Sequence, residues 1–265
     1  MHRIVLIIEY DGSSYVGWQI QPNGIAVQEV LMQKLNQLTG GGENIALHAS
    51  GRTDSGVHAR AQVAHFDTDS RIPADKFAYA LNTLLPADIR IKASFSLPSE
   101  GENEFHSRFS VKQKHYRYTV LNAPHNSVFT RNTALHIHAK LDLASLNAAA
   151  AYFIGTHDFL SFKASGSKAK TTVRTIYRSE WTQEGNLLYY DVAGSGFLYN
   201  MVRIMVGTML RIGMGFEPPE FVLNALEHPG RENAGDTAPA HGLMLYRVIY
   251  DEFDTEAVLR EAEKR

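Results

Sequence analysis

Cysteine is absent from the 265-residue chain, which removes disulfides, thiolate nucleophiles and cysteine-ligated zinc or iron–sulfur centres from consideration. No apolar run approaches the roughly 20 residues a membrane helix needs. No N-terminal stretch reads as a secretion signal either, because Arg3 leads straight into the strand-like IVLIIEY. No membrane partner is expected, and a cytoplasmic protein fits best. A large charge excess is also lacking: the formal net charge is −2, which at first sight disfavours a nucleic-acid partner.

The charge is unevenly placed, however. Of 28 acidic side chains 11 fall in residues 217–265, with 5 of the 26 basic ones, so residues 1–216 carry 21 basic against 17 acidic groups. Phe105 to Lys140 holds Arg108, Lys112, Lys114, Arg117, Arg131 and Lys140, five histidines and no carboxylate. Such a stretch can follow a phosphate backbone; it can equally be a solvated basic face.

The length suits two packed halves better than one core, expected here as 1–104 and 105–265. Apolar alternation predicts a strand over 3–10, and DGSS reads as a turn. Val27, Val30, Leu31, Leu35 and Leu38 predict a helix that Gly40–Gly42 stops. Strands over 45–50 and 62–67 flank a glycine-bearing loop, followed by a helix over 73–84 and a strand over 89–97. The second half reads as strand 113–121, helix 142–154, strands 173–182 and 187–193, and a long helix over 197–212. A short helix near 219–227, strand 243–250 and a charged amphipathic C-terminal helix complete it. Segments 98–104 and 163–172 read as mobile loops, the second basic enough to touch RNA. The fold class expected is α+β with two sheet-bearing halves.

Chemistry concentrates in three places. Ala49–Asp67 sets a carboxylate and an arginine in a tight loop between strands; if the chain is extended there, Arg52 and Asp54 point one way and Thr53 the other. Gly51 and Gly56 would let the backbone turn and a substrate approach. An aspartate in such a turn is also a common capping residue. The helix FLYNMVRIMVGTML is apolar on nearly every face with Arg203 its only charge, and a buried guanidinium needs an anionic partner. Asp54 is one candidate; Asp158, Asp191 or a snorkelling side chain are others. In KHYRYTV, Tyr116 and Tyr118 share one strand face and His115 and Arg117 the other, so a tyrosine there can stack on a base or sit in the core; one of the two is expected to be functional.

Other patterns exclude more than they offer. Gly194-Ser195-Gly196 lacks the third glycine of a dinucleotide loop and reads as a turn opening onto a helix N-terminus, able to hold a phosphate. No nucleotide cofactor is expected. The 12 histidines include His136 and His138 but form no HExxH-type spacing, so no metal is expected. Ser161, Ser165 and Ser195 lack a nucleophile elbow.

Taken together, YDGSSYVGWQIQPN (10–23) with Val27-Gln28, GRTDSGVHA (51–59), FHSRFS (105–110), YRY (116–118), GSGFLYNMVRIMVG (194–207) and APAHGL (238–243) resemble the TruA family of tRNA pseudouridine synthases over nearly the whole length. The resemblance implies an isomerase that needs no cofactor, with Asp54 as the catalytic aspartate. It implies that Arg52 helps open the RNA stem beside the extruded base, that Tyr116 packs on the target uracil and that Arg203 pairs with Asp54. Leu245 or a neighbour would form an apolar wall, and Arg174 would be a further RNA-facing arginine. It also implies a homodimer whose subunits hold two ferredoxin-like (RRM-like) halves fused through a mostly antiparallel sheet, with helices on one side and an RNA cleft on the other. The substrate implied is the tRNA anticodon stem-loop at positions 38, 39 and 40. The rival readings are a noncatalytic RNA-binding or RNA-folding protein and a hydrolase that releases the base; the intact GRTD loop with Arg203 argues against the first.

Overall fold

The computed structural model describes residues 1–40, 45–101, 104–166 and 169–264. Along the chain run β1 (His2–Tyr10), α1 (Val27–Leu38), β2 (His48–Ala49), β3 (His58–Thr68), α2 (Phe77–Asn82) and β4 (Ile89–Leu97). Then follow β5 (Gln113–Asn122), β6 (Leu135–Ile137), α3 (Leu143–Ala151), β7 (Gly155–Asp158), β8 (Val173–Glu184) and β9 (Leu187–Gly194). The last elements are α4 (Met201–Gly213), α5 (Glu220–Glu227), β10 (Leu243–Ile249) and α6 (Thr255–Ala262). Among the described residues no helix is long and apolar enough to cross a membrane.

Residues 1–112 and 245–265 form one unit and residues 113–244 a second. The first unit therefore takes back the C-terminal segment that the sequence reading assigned to the second half. The cause is packing: Leu259 of α6 buries itself against Ile7 and Ala61, Phe253 meets Phe95 at 5.0 Å between ring centroids, and the Tyr250 hydroxyl donates to the Ser107 carbonyl at 2.6 Å.

The first unit is a sheet in the order β4-β1-β3-β10, antiparallel from β4 through β1 to β3, with β2 antiparallel on β3. On one face Phe66 of β3 meets Phe77 of α2 edge-on at 5.4 Å, and α1 lies beside α2; the α6 contacts through Ile7 and Ala61 come from the opposite face. A sheet covered on both faces needs no alternation, so Ile4–Ile8 are all fully buried. This adds a helix to the face that the one-sided arrangement leaves open.

The second unit is ordered β5-β9-β8-β7, antiparallel, with β6 alongside β5 in parallel. Tyr118, Tyr190 and Trp181 occupy one rung across β5, β9 and β8. The Trp181 indole donates to the Met209 sulfur of α4 at 3.2 Å, and Asn147 of α3 bonds both backbone groups of Trp181, at 2.8 and 3.0 Å. Each unit is thus α+β with a mostly antiparallel sheet, as expected.

Several boundaries differ from the sequence reading. The strand expected over 45–50 is reduced to two residues, β3 starts at His58 rather than 62, and α4 starts at Met201 rather than 197. DGSS is a single turn of 3-10 helix whose amide at Ser13 is capped by Asp11 at 2.9 Å. Residues 41–42 of the expected helix stop, and 102–103 and 167–168 of the two expected mobile loops, lie outside the described residues.

Candidate active site

In the first unit Asp54 sits on a loop whose neighbouring residues are tied down on both sides. Ser50 makes the last ladder bond, from its amide to the Val63 carbonyl at 2.7 Å. Gln62, fully buried, then accepts from the Ser50 hydroxyl at 2.6 Å and donates to the Gly51 carbonyl at 2.9 Å. Thr53 is buried, its hydroxyl 2.7 Å from the Tyr10 phenol and its carbonyl accepting from the Trp18 amide at 3.1 Å. Burial pushes the Tyr10 phenol well above its ordinary range, so it stays a neutral partner. A turn closes behind Asp54 through the Val57 amide to the Asp54 carbonyl at 3.1 Å, with Gly56 at φ 77°. Arg52 is exposed, Thr53 buried and Asp54 half-buried. Exposure thus alternates from Arg52 to Asp54, with the anchored Thr53 between them.

The strap that holds this loop is the YDGSSYVGWQ block. Gly17 sits at φ 106°, and a Cβ there would lie 2.6 Å from the Thr53 carbonyl oxygen, far inside contact distance. The Tyr15 carbonyl takes the Gly56 amide and the Ser55 hydroxyl, each at 3.3 Å. The Tyr15 hydroxyl in turn donates to Asp88 at 2.7 Å. The strap is tied to the start of α1, whose Val27 and Gln28 amides donate to the Gly17 and Trp18 carbonyls. Leu245, on β10, is 1% exposed.

In the second unit, Arg203 projects from α4, half-buried. Its Nε donates to the Ala238 carbonyl at 2.7 Å and its Nη1 to the Asn200 side-chain oxygen at 2.8 Å. The Ala238 amide returns a bond to the Arg203 carbonyl at 3.0 Å. The loop comes this close because Gly207 faces it: a Cβ at Gly207 would lie 1.9 Å from the Asp236 oxygen. Asn200 has φ 59°, the one positive φ outside glycine among the described residues, a conformation that costs a side chain about 1–2 kcal/mol. Of the other carboxylates considered for Arg203, Asp191 receives both forks of Arg117 at 2.9 Å, and Asp158 accepts the Leu160 amide at 3.0 Å.

The two tyrosines of β5 are both buried and differ in their neighbours. Tyr118 is fully buried and donates to the Pro239 carbonyl at 2.8 Å, and its ring fills the space over Gly242; it is a core residue. Tyr116 keeps 8% exposure and meets Phe197 edge-on at 5.1 Å. Arg174 is half-buried on β8, its Nη1 donating to the Thr171 carbonyl at 3.0 Å and to Val173 at 2.6 Å, and burial lowers its pKa from the usual arginine range. The Gly194–Gly196 turn does not open onto a helix N-terminus as expected; Ser195 instead bonds back to Thr175 of β8, and α4 starts only at Met201. Gln62 lies outside every motif block of the sequence, and Tyr10 and Asn200, though inside two of those blocks, have no role legible there; their parts depend on partners distant in the chain or on one backbone angle.

The tRNA pseudouridine synthase family model matches residues 6–110 and 149–251, and the chain belongs to that family. Among similar proteins is the tRNA pseudouridine synthase A of Ruminiclostridium cellulolyticum, 48% identical over 251 residues, covering 94% of this chain and 100% of that protein. The protein of that name from Citrifermentans bemidjiense is 49% identical over 253 residues, 95% of this chain and 99% of its own length. The one from Bacillus subtilis is 46% identical over 249 residues, 94% and 99% respectively.

Proposed function

We propose that this protein isomerises uridine to pseudouridine in the anticodon stem-loop of tRNA, at positions 38, 39 and 40, as a cytoplasmic homodimer, with Asp54 as the catalytic carboxylate. The observation that carries the assignment is the Thr53 anchor: buried, and bonded at both its carbonyl and its hydroxyl, it holds a half-buried aspartate beside an exposed arginine in a turn that glycines allow a substrate to approach. Family membership supports the same reaction.

The reaction breaks the N1–C1′ bond, turns the uracil and joins C5 to C1′, with the C5 proton lost to solvent and one gained at N1. Atoms and electrons balance within the nucleotide and water. An ionised carboxylate serves either route, attack at C1′ or removal of the C2′ proton, and a paired arginine favours the ionised form. In this reading Arg203 supplies that charge to Asp54. The nucleotide must leave the stack at a cost of a few kcal/mol; Arg52 fills the gap, and Tyr116 covers the flipped base with stacking of about 1–3 kcal/mol. Leu245 closes the pocket on its apolar side and Arg174 takes a further RNA contact.

The test is carbodiimide mapping of unmodified tRNA transcripts incubated with the wild-type protein and no additive. Pseudouridine at 38–40 is the expected result. Bound but unmodified tRNA would favour a binding protein, and release of free uracil a hydrolase. Arg203→Met is expected to lose activity; a wild-type rate would remove Arg203 from the site.

A further inference from the structure

The second unit contains a cavity of about 490 Å³ whose wall includes Leu160, Lys163, Ala164, Ser165, Arg231 and Thr237. Its two charged wall residues are both cations, and no carboxylate lines it among the described residues. Glu232, exposed, lies over Gly230 beside it. The volume is within the roughly 300–1,000 Å³ of small-molecule sites, far more than a phosphate alone needs.

The wall is built rather than incidental. Ser161, fully buried, donates to the Ala225 carbonyl at 2.6 Å and accepts the Gly230 amide at 2.9 Å, which fixes the turn that carries Arg231 against the segment that carries Lys163. The Ala164 amide donates to the Tyr199 carbonyl at 3.1 Å. Thr237 is followed by Ala238, the residue that bonds Arg203 on both its carbonyl and amide sides. Cavity and Arg203 therefore share one wall.

We propose that this cavity is a subsite for one nucleotide of the RNA substrate. Lys163 and Arg231 hold its backbone phosphate, Leu160 and Ala164 pack on its sugar and base, and the Ser165 and Thr237 hydroxyls offer hydrogen bonds. The proposal rests on the synthase reading. The cavity serves binding alone: its contact with the RNA is the same in ground and transition states, so its loss raises KM and leaves kcat in place.

The experiment measures KM and kcat on an RNA stem-loop for wild type, Lys163→Gln, Lys163→Arg and Arg231→Gln, with Lys76→Gln, an exposed cation of the other unit, as control. Anisotropy binding of the same RNA is followed at several salt concentrations, and melting curves check folding, because Arg231 also donates to the Ala234 carbonyl at 3.2 Å. Expected are a KM raised about fivefold or more for Lys163→Gln and Arg231→Gln, recovery in Lys163→Arg, and a salt slope of log K smaller by about 1 for each lost phosphate contact. Unchanged KM and slope in folded Lys163→Gln would overturn the proposal. So would tight binding of free uridine 5′-monophosphate that this variant abolishes while RNA binding persists, since the cavity would then serve free nucleotides. If the slopes change as expected but wild type makes no pseudouridine, the subsite stands and the synthase reading falls.

Discussion

The two units show different supports around Asp54 and around Arg203. In the first, the loop that carries Asp54 is tied down at its neighbours: Thr53 to Tyr10 and Trp18, Gly51 to Gln62, Gly56 to Tyr15. In the second, the Arg203 guanidinium is itself held, by the Ala238 carbonyl and the Asn200 side chain. Neutral hydrogen bonds, the Tyr10–Thr53 hydroxyl pair among them, tie the loop; a backbone carbonyl and a side-chain oxygen hold the guanidinium. Damage to the first arrangement should therefore appear as lost stability together with lost activity, and damage to the second as lost activity in a stable protein.

Gly17→Ala is the most severe way to break the first arrangement. It combines an unfavourable positive φ with a Cβ placed 2.6 Å from the Thr53 oxygen, and overpacking alone costs about 1–3 kcal/mol. Urea unfolding should show at least that loss, with turnover nearly abolished; a folded variant of normal rate would mean the strap does not hold the loop.

Acid should act on the first unit as well. Buried His65, its Nδ1 2.9 Å from the Ser107 hydroxyl, lies 5.1 Å from the His48 ring and 4.8 Å from that of His106. Burial, and then the charges of Arg3, His106 and His48, push it down to about 3, with Asp67 opposing. Its folded pKa is thus below the unfolded value of about 6.5, and the unfolded chain binds more protons in between. His65 contributes stability in full above pH 6.5 and loses it as pH falls toward 3. Unfolding free energy measured across that window should decline, and His65→Gln should flatten the decline.

Asn200 sharpens the contrast in the second unit. Glycine adopts its backbone angle freely but offers no acceptor, so Asn200→Gly should melt within about 1 kcal/mol of wild type while kcat falls about tenfold or more, as loss of about 1.5–3 kcal/mol for one hydrogen bond to a charged group predicts. Asn200→Asp, which keeps the acceptor, should recover most of the rate. A smaller effect is expected for Tyr118→Phe, which removes the 2.8 Å bond to Pro239; a loss of about 1 kcal/mol in stability with kcat retained would mark it as core.

The elements legible in sequence were those whose signal is local. The apolar spacing of Val27–Leu38, with glycine after it, marks α1 with its observed bounds, and Ile89–Leu97 does the same for β4. His58–Ala61 carries little strand propensity yet extends β3, since Tyr10 of β1 pairs with Ala59; tertiary pairing overrides propensity there. The apolar residues 197–199 look helical, but the left-handed Asn200 delays α4 to Met201. The GRTD loop and Arg203 stand out by residue type alone. Their supports do not, because nothing local to Gly17 or Gln62 reveals which distant carbonyl they approach.

The central claim is that Asp54 carries out the isomerisation on a site the fold holds ready. Joining C5 to C1′ expels the C5 hydrogen, so tRNA labelled with tritium at uridine C5 reports the completed reaction directly. Wild type should release tritium to water, and Asp54→Asn, folded and binding the same tRNA with unchanged affinity, should release none. Release by the purified Asp54→Asn protein at a measurable fraction of the wild-type rate would contradict the account.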